Sequence, residues 1–376
     1  MKFLERKQDV ILKRELQWIG NMWNSMMTDL ETTICQQYGV KYGIFTGNGT
    51  TAMYLAFCAL GLQKKKVIFP AISCTNPVNA AIFAGYEVEF CDVQLKDYTI
   101  DLIMLNEMLS TGKYGIVVPT HIYGHRYDEV ALRRLCEYYG AILFEDAAQS
   151  YYVGDMDVAV MSFGHTKVCE TSLGGGIALT NDYELAKKIR SQKMNLCKSY
   201  NPVMQLFDQY REKYYRIVRE NNDWKDRNKK LRELQLDSKQ YFILDLNDNE
   251  KIYDKLRKLG ETVELRRKKV ELYQQCLNDK FVLKPEVEDL FRWRYTFLYK
   301  GNRDRLLNRA REQGIDISSW YYSLAGIYQG RHLKNADILE NQVVNLWVDE
   351  THSIENIKQE INTLNGIMEE EYAGSE

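Results

Sequence analysis

Proline is scarce, at five residues in 376, and no internal repeat or low-complexity tract accompanies it. The eight cysteines, at positions 35, 58, 74, 91, 136, 169, 197 and 276, form no C-x-x-C pair. That spacing excludes the common zinc and disulfide frameworks, so most of them are expected to be reduced, buried small side chains. Five histidines without helical i, i+4 pairing give no ligand set either, and no metal is expected. No run of about 18 uncharged apolar residues is present. The opening MKFLERKQDVILKRELQW lacks the apolar core of a signal peptide, so the expectation is a soluble, cytoplasmic protein without membrane contact. Neither charge sign dominates: 50 Lys and Arg face 52 Asp and Glu, for a formal charge of −2. Nothing in that balance draws the chain to nucleic acid.

What is present is a 45% hydrophobic share and a length that suits two domains. Residues 18–38 carry Met22, Met26, Leu30, Ile34 and Tyr38 at four-residue intervals, the pattern of an amphipathic helix. Short apolar runs at 42–45, 67–70, 88–93, 114–122, 141–146, 158–163 and 176–180 read as strands. Segments of helical composition at 50–60, 76–85, 102–109, 129–139 and 183–198 lie between and after them. Strands alternating with helices imply crossovers, hence an α/β domain with a seven-stranded, mostly parallel sheet covered by helices on both faces.

The stretch 200–247 is rich in both charge signs and reads as exposed helix and linker, solvated on one face. A long helix is expected over 252–277, with Leu256, Leu259, Val263, Val270 and Tyr273 on its apolar side, joining two domains. A strand at 291–299, a helix at 303–313, a strand at 342–348 and a helix at 354–368 make a small α+β domain. The expected division is 1–247 for the large domain, with 200–247 as an insertion or linker, and 248–376 for the small one.

Chemistry concentrates in 142–176, ILFEDAAQSYYVGDMDVAVMSFGHTKVCETSLGGG. One apolar run delivers Glu145 and Asp146 at its carboxyl end, and a second delivers Ser162, with Lys167 in the following turn. In an open α/β sheet, ligands bind at that edge. A buried carboxylate needs a cation or strong donors, and a protonated pyridine nitrogen would serve; an Asp that merely caps the turn into AAQS is the plainer alternative. A lysine in a dry pocket has its pKa lowered, which favours Schiff-base chemistry. His165 reads as a polar loop residue. Upstream, GNGTTAMYLAFCALGL combines Gly47 and Gly49 with Thr50 and Thr51 at a helix start, where amide groups and the dipole suit one phosphate. The spacing matches neither the G-x-G-x-x-G nor the Walker pattern. A plain strand-to-helix turn with a threonine cap has the same composition.

In this order, the blocks YGVKYGIFTGNGTTAMYLAFCALGL, FPAISCTNPVNAAIFAGYEVEFCDV, VVPTHIYGHRYDEVALRRLCEYYGAILFEDAAQS and SFGHTK…LGGGIALT, and more weakly QVVNLWVDETHSIENIKQEI, resemble the DegT/DnrJ/StrS-type sugar aminotransferases of the fold-type I superfamily. The resemblance implies pyridoxal 5'-phosphate as cofactor. Gly49, Thr50 and Ser162 would bind its phosphate, Asp146 its ring nitrogen and Gln149 the region of its phenolic oxygen. Lys167 would hold it as a Schiff base and move the proton during transamination. It further implies a homodimer, an amino-acid donor such as glutamate, and a keto-sugar acceptor, expected to be nucleotide-linked, for amino-sugar or surface-polysaccharide synthesis.

Three features depart from the family pattern. Cys74 stands where many members place an aromatic residue on the pyridine ring, leaving Tyr123 and Tyr151 as candidate stacking partners. The family's Asn-x-Arg-Met segment is not recognisable, and the charged stretch stands in its place. The aromatic cluster Trp320, Tyr321 and Tyr322 reads either as a sugar platform or as core. The alternatives are a cofactor-binding regulatory protein that has lost turnover, a sugar deoxygenase, disfavoured because Lys167 is present, and a cofactor-dependent reaction on amino acids, which would call for a small-domain arginine.

Overall fold

A computed structural model describes residues 27–62, 65–171, 174–195, 203–237, 250–286 and 289–373. Seven short apolar runs pair as one sheet: β1 (Tyr42–Thr46), β2 (Lys66–Pro70), β3 (Val88–Cys91), β4 (Tyr114–Val117), β5 (Ile142–Asp146), β6 (Val158–Ser162) and β7 (Gly176–Thr180). Their order is β1-β7-β6-β5-β4-β2-β3. The run from β6 to β3 is parallel, and β7 is antiparallel to both of its neighbours. Nearly continuous burial along β2, β5 and β7 is the consequence of helices on both faces. The strand ends therefore converge. Gly176, the first residue of β7, pairs with Thr46 and Ser162, the last residues of β1 and β6.

A second, antiparallel sheet contains β8 (Val282–Leu283), β9 (Tyr295–Tyr299), β10 (Ile317–Ser318) and β11 (Val343–Leu346) in the order β10-β11-β9-β8. Its core gathers Tyr273, Phe297, Leu306, Val344 and Ile361. The strand expected at 291–299 begins only at Tyr295. Phe291 and Trp293 instead join the core of the first sheet, where the Trp293 N–H donates to the Tyr123 carbonyl at 2.8 Å.

Two expectations about helices need correction. The helix foreseen over 252–277 is two helices, Glu250–Arg257 and Leu259–Cys276, separated at Lys258, whose ψ of 5° interrupts the helical path. Ile252, Leu256, Leu259 and Val263 pack with the first core, whereas Val270 and Tyr273 pack with the second. The charged stretch holds helices Val203–Glu220 and Trp224–Leu236; the second is solvated on one face as expected, but its other face is packed rather than linker. It buries Asn228, Leu231 and Gln235, accepts a 3.0 Å hydrogen bond from Asn79 Nδ2 at Gln235 Oε1, and pairs Arg227 with the buried Glu340. Of the amphipathic segment 18–38, the structure shows helix Asp29–Tyr38, and residues 18–26 lie outside the described residues. Among the described residues no helix is long and apolar enough to cross a membrane, and no cluster of three potential metal ligands occurs.

Candidate active site

The chain leaves β1 through Gly47 and Asn48 and enters helix Gly49–Leu60. Asn48, rather than a threonine, is the cap: its Oδ1 accepts the Thr51 N–H at 2.8 Å and the Thr51 hydroxyl at 2.7 Å. Gly49 faces Ser162 so closely that a Cβ there would lie 3.1 Å from the serine Cβ and 3.3 Å from its Oγ. The helix start thus packs against Ser162, with Thr50 half-buried beside Gly49 in the first turn.

The triple glycine explains the tightness of that packing. A Cβ on Gly176 would sit 2.3 Å from the Asn48 carbonyl carbon and the Gly49 nitrogen. Gly174 has φ +100°, and a Cβ there would come within 2.9 Å of the Gly47 oxygen. These two glycines serve close backbone packing against the turn.

Asp146 closes β5 and is buried at the carboxyl end of the sheet. Its Oδ1 accepts the Ala148 N–H at 3.1 Å, and its Oδ2 accepts the Thr120 hydroxyl at 3.3 Å. The capping and cofactor readings are therefore compatible, since only one oxygen is used on the turn. Thr120 Oγ1 in turn lies 3.2 Å from Ser73 Oγ. Burial raises the carboxyl pKa, while Ala148, Lys167 and Thr120 work against the rise.

Lys167 is half-buried with Nζ 5.1 Å from the centre of the Trp293 ring, and the Trp293 indole donates to the Thr166 carbonyl. Burial lowers its pKa, Arg294 adds to the effect, and Cys74 and Asp146 oppose it. Cys74 occupies the N-cap of helix Thr75–Phe83 without a side-chain cap bond, its thiol pKa raised chiefly by burial. Gln149 Oε1 accepts the Tyr123 N–H at 2.7 Å, and Gln149 Nε2 donates to Tyr321 Oη at 3.3 Å.

The other singled-out residues fall elsewhere. Strand alternation turns Glu145 to the opposite face from Asp146. There its Oε1 lies 2.6 Å from His121 Nε2 and accepts from Tyr127 Oη at 3.1 Å. His165 makes an exposed contact to Glu170, as a loop residue would. Tyr151 donates to Asp289 at 2.9 Å and accepts from Arg267 at 3.1 Å. Tyr123 exposes none of its surface. Sequence reasoning missed Asn48, Thr120, Ser73 and Trp293. Asn48 had a signal, an asparagine directly before a helix start; the others are brought in by strand pairing and by the second sheet, which no local pattern reports.

The donor set is chemically specific. A helix start with hydroxyls suits a phosphate dianion, a buried carboxylate suits a protonated ring nitrogen, and an amine of lowered pKa suits an aldehyde. Pyridoxal 5'-phosphate carries all three groups, so the residues present fit it.

The profile of the DegT/DnrJ/EryC1/StrS aminotransferase family matches residues 5–235. A GDP-perosamine synthase of Caulobacter vibrioides is 29% identical over 194 residues, covering 49% of this chain and 52% of that protein. The chain thus spans about half the length of that curated relative. A pleiotropic regulatory protein of Geobacillus stearothermophilus is 28% identical over 306 residues, covering 78% of this chain and 73% of the relative. The crystal structure of DesV from S. venezuelae superposes with a TM-score of 0.73 at 19% identity, covering 97% of both chains, and shares the fold.

Proposed function

The chain belongs to the DegT/DnrJ/EryC1/StrS aminotransferase family, and from that premise we propose that it is a pyridoxal-phosphate-dependent transaminase acting on a keto-sugar. The donor is an amino acid, glutamate in the first instance, and the acceptor is nucleotide-linked. What supports this reading is that Lys167 and Asp146 lie close enough for their charges to act on one another, while the helix start at Gly49 packs against Ser162.

When bound, pyridoxal phosphate withdraws electrons from the carbon that bears the amino group. The protein supplies the rest. Asp146, held by Thr120 and Ala148, keeps a proton on the ring nitrogen, which sustains that withdrawal. Gly49, Thr50 and Ser162 retain the phosphate. Lys167, whose burial favours its neutral amine, would move the proton between the two carbons that flank the transferred nitrogen. We further propose that two copies pair, and a mass measurement by light scattering tests this.

The deciding experiment is spectroscopic. Protein loaded with pyridoxal phosphate should change its visible absorbance when glutamate is added and release 2-oxoglutarate. Lys167→Ala should lose both responses, with kcat down by at least about 10³-fold. A Lys167→Ala protein with the wild-type spectrum and turnover would overturn the assignment. The length of the alignment with a regulatory protein favours one second reading, a cofactor binder without turnover. Bound cofactor that no amino acid converts would decide for it. A panel of nucleotide-linked keto-sugars then identifies the acceptor.

A further inference from the structure

The carboxamide of Gln149 is oriented by its surroundings. Its oxygen accepts the Tyr123 N–H at 2.7 Å, so its nitrogen must be the end that meets Tyr321 Oη at 3.3 Å. An amide nitrogen carries two N–H groups, and the second has no partner among the described residues. Tyr321, which accepts from Gln149, still has its own hydroxyl proton to give. Burial holds that phenol neutral, with its pKa well above the ordinary value, so it remains a donor.

Position completes the argument. Tyr321 is half-buried, and Cys74 and Asp146 are near enough to act on it electrostatically. Its ring is nearly parallel to that of Tyr123, with centroids 5.9 Å apart and planes at 19°. Tyr123 is fully covered and backs the Tyr321 ring. Cys74, a small side chain, leaves the site without an aromatic surface on helix Thr75–Phe83.

We propose that Tyr321, delivered by the segment between β10 and β11, is a cofactor-contacting residue that replaces the missing aromatic of the first sheet. Its ring walls the site. Its hydroxyl and the second Gln149 N–H converge as two donors for an ionised oxygen on the cofactor ring. Donors aimed at that oxygen favour its charged form and lower the pH at which the bound chromophore titrates. This inference rests on the proposed function, because it presupposes pyridoxal phosphate at this site.

The test uses the full chain loaded with pyridoxal phosphate and no sugar. Tyr321→Phe keeps the ring and removes the donor, so the pH midpoint of the visible absorbance should rise by about 1 unit. Tyr321→Ala removes the ring as well, and its dissociation constant for pyridoxal phosphate, measured by equilibrium dialysis, should rise at least about tenfold. Tyr322→Phe is the control, since Tyr322 lies over Arg227 at 4.4 Å, and it should match wild type. Circular dichroism confirms folding of each variant. A wild-type midpoint in Tyr321→Phe together with wild-type affinity in Tyr321→Ala overturns the inference and leaves the transaminase reading intact. Wild-type protein that binds no pyridoxal phosphate overturns both.

Discussion

Asp146 shows how a single residue is set for its role. Burial favours its protonated form, and the two hydrogen bonds from Ala148 and Thr120 only partly offset this. In the cofactor-free protein the folded state therefore keeps a proton that the unfolded chain has released. Stability must fall as pH rises from the ordinary aspartate value, about 3.8, towards the raised folded value. Asp146→Asn removes the titration. Denaturant unfolding of both proteins from pH 4 to 8 should show the variant gaining on wild type above that window, and its affinity for pyridoxal phosphate should be weaker. Equal pH slopes would contradict the account. Asp146 and Lys167 were legible because an acid ending an apolar run and a lysine before three glycines are both uncommon in sequence. Thr120 was not, since it reaches Asp146 only through the bridge that follows β4.

The element that matters most is the turn from β1 into helix Gly49–Leu60, clamped from the far side by the start of β7. Its composition announced a tight turn, yet composition alone did not say what the three later glycines pack on. They lie against the turn itself: Gly175 N–H donates to the Gly47 carbonyl at 2.8 Å, and Gly176 leaves no room for a Cβ beside Asn48. Gly176→Ala should thus displace the turn and destabilise the fold by roughly 1–3 kcal/mol, as overpacking does. A lowered Tm with loss of phosphate-dependent cofactor retention is the expected result. Asn48→Ala, which removes only the cap, should cost about 1 kcal/mol and spare more of the binding.

Across the whole molecule, a buried carboxylate ties together segments far apart in sequence. Glu340, only 4% exposed, pairs through Oε1 with Arg227 on helix Trp224–Leu236 and accepts the Ser323 N–H at Oε2, 2.8 Å away. Ser323 in turn caps the short helix that follows it. Glu340→Ala strands a buried guanidinium and an amide, so a loss of about 3–5 kcal/mol in chemical unfolding is expected. A surface-like loss below about 1 kcal/mol would show the pair to be solvated. The packed face of this charged helix escaped the sequence because it includes Asn228 and Gln235, polar residues that local patterning assigns to water.

The sequence by itself determined the alternation of strands and helices and the mostly parallel sheet, and it singled out Asp146, Lys167, Ser162 and the Gly49–Thr50 turn as candidates. Each of these is written in a local run of apolar, small or charged residues. Tertiary structure decided which face Glu145 takes, what orients Asp146, and that Tyr321, from the segment between β10 and β11, meets Gln149. Those contacts join residues separated by up to 172 positions in the chain, and only the register of paired strands and the packing of two cores brings them within hydrogen-bonding distance.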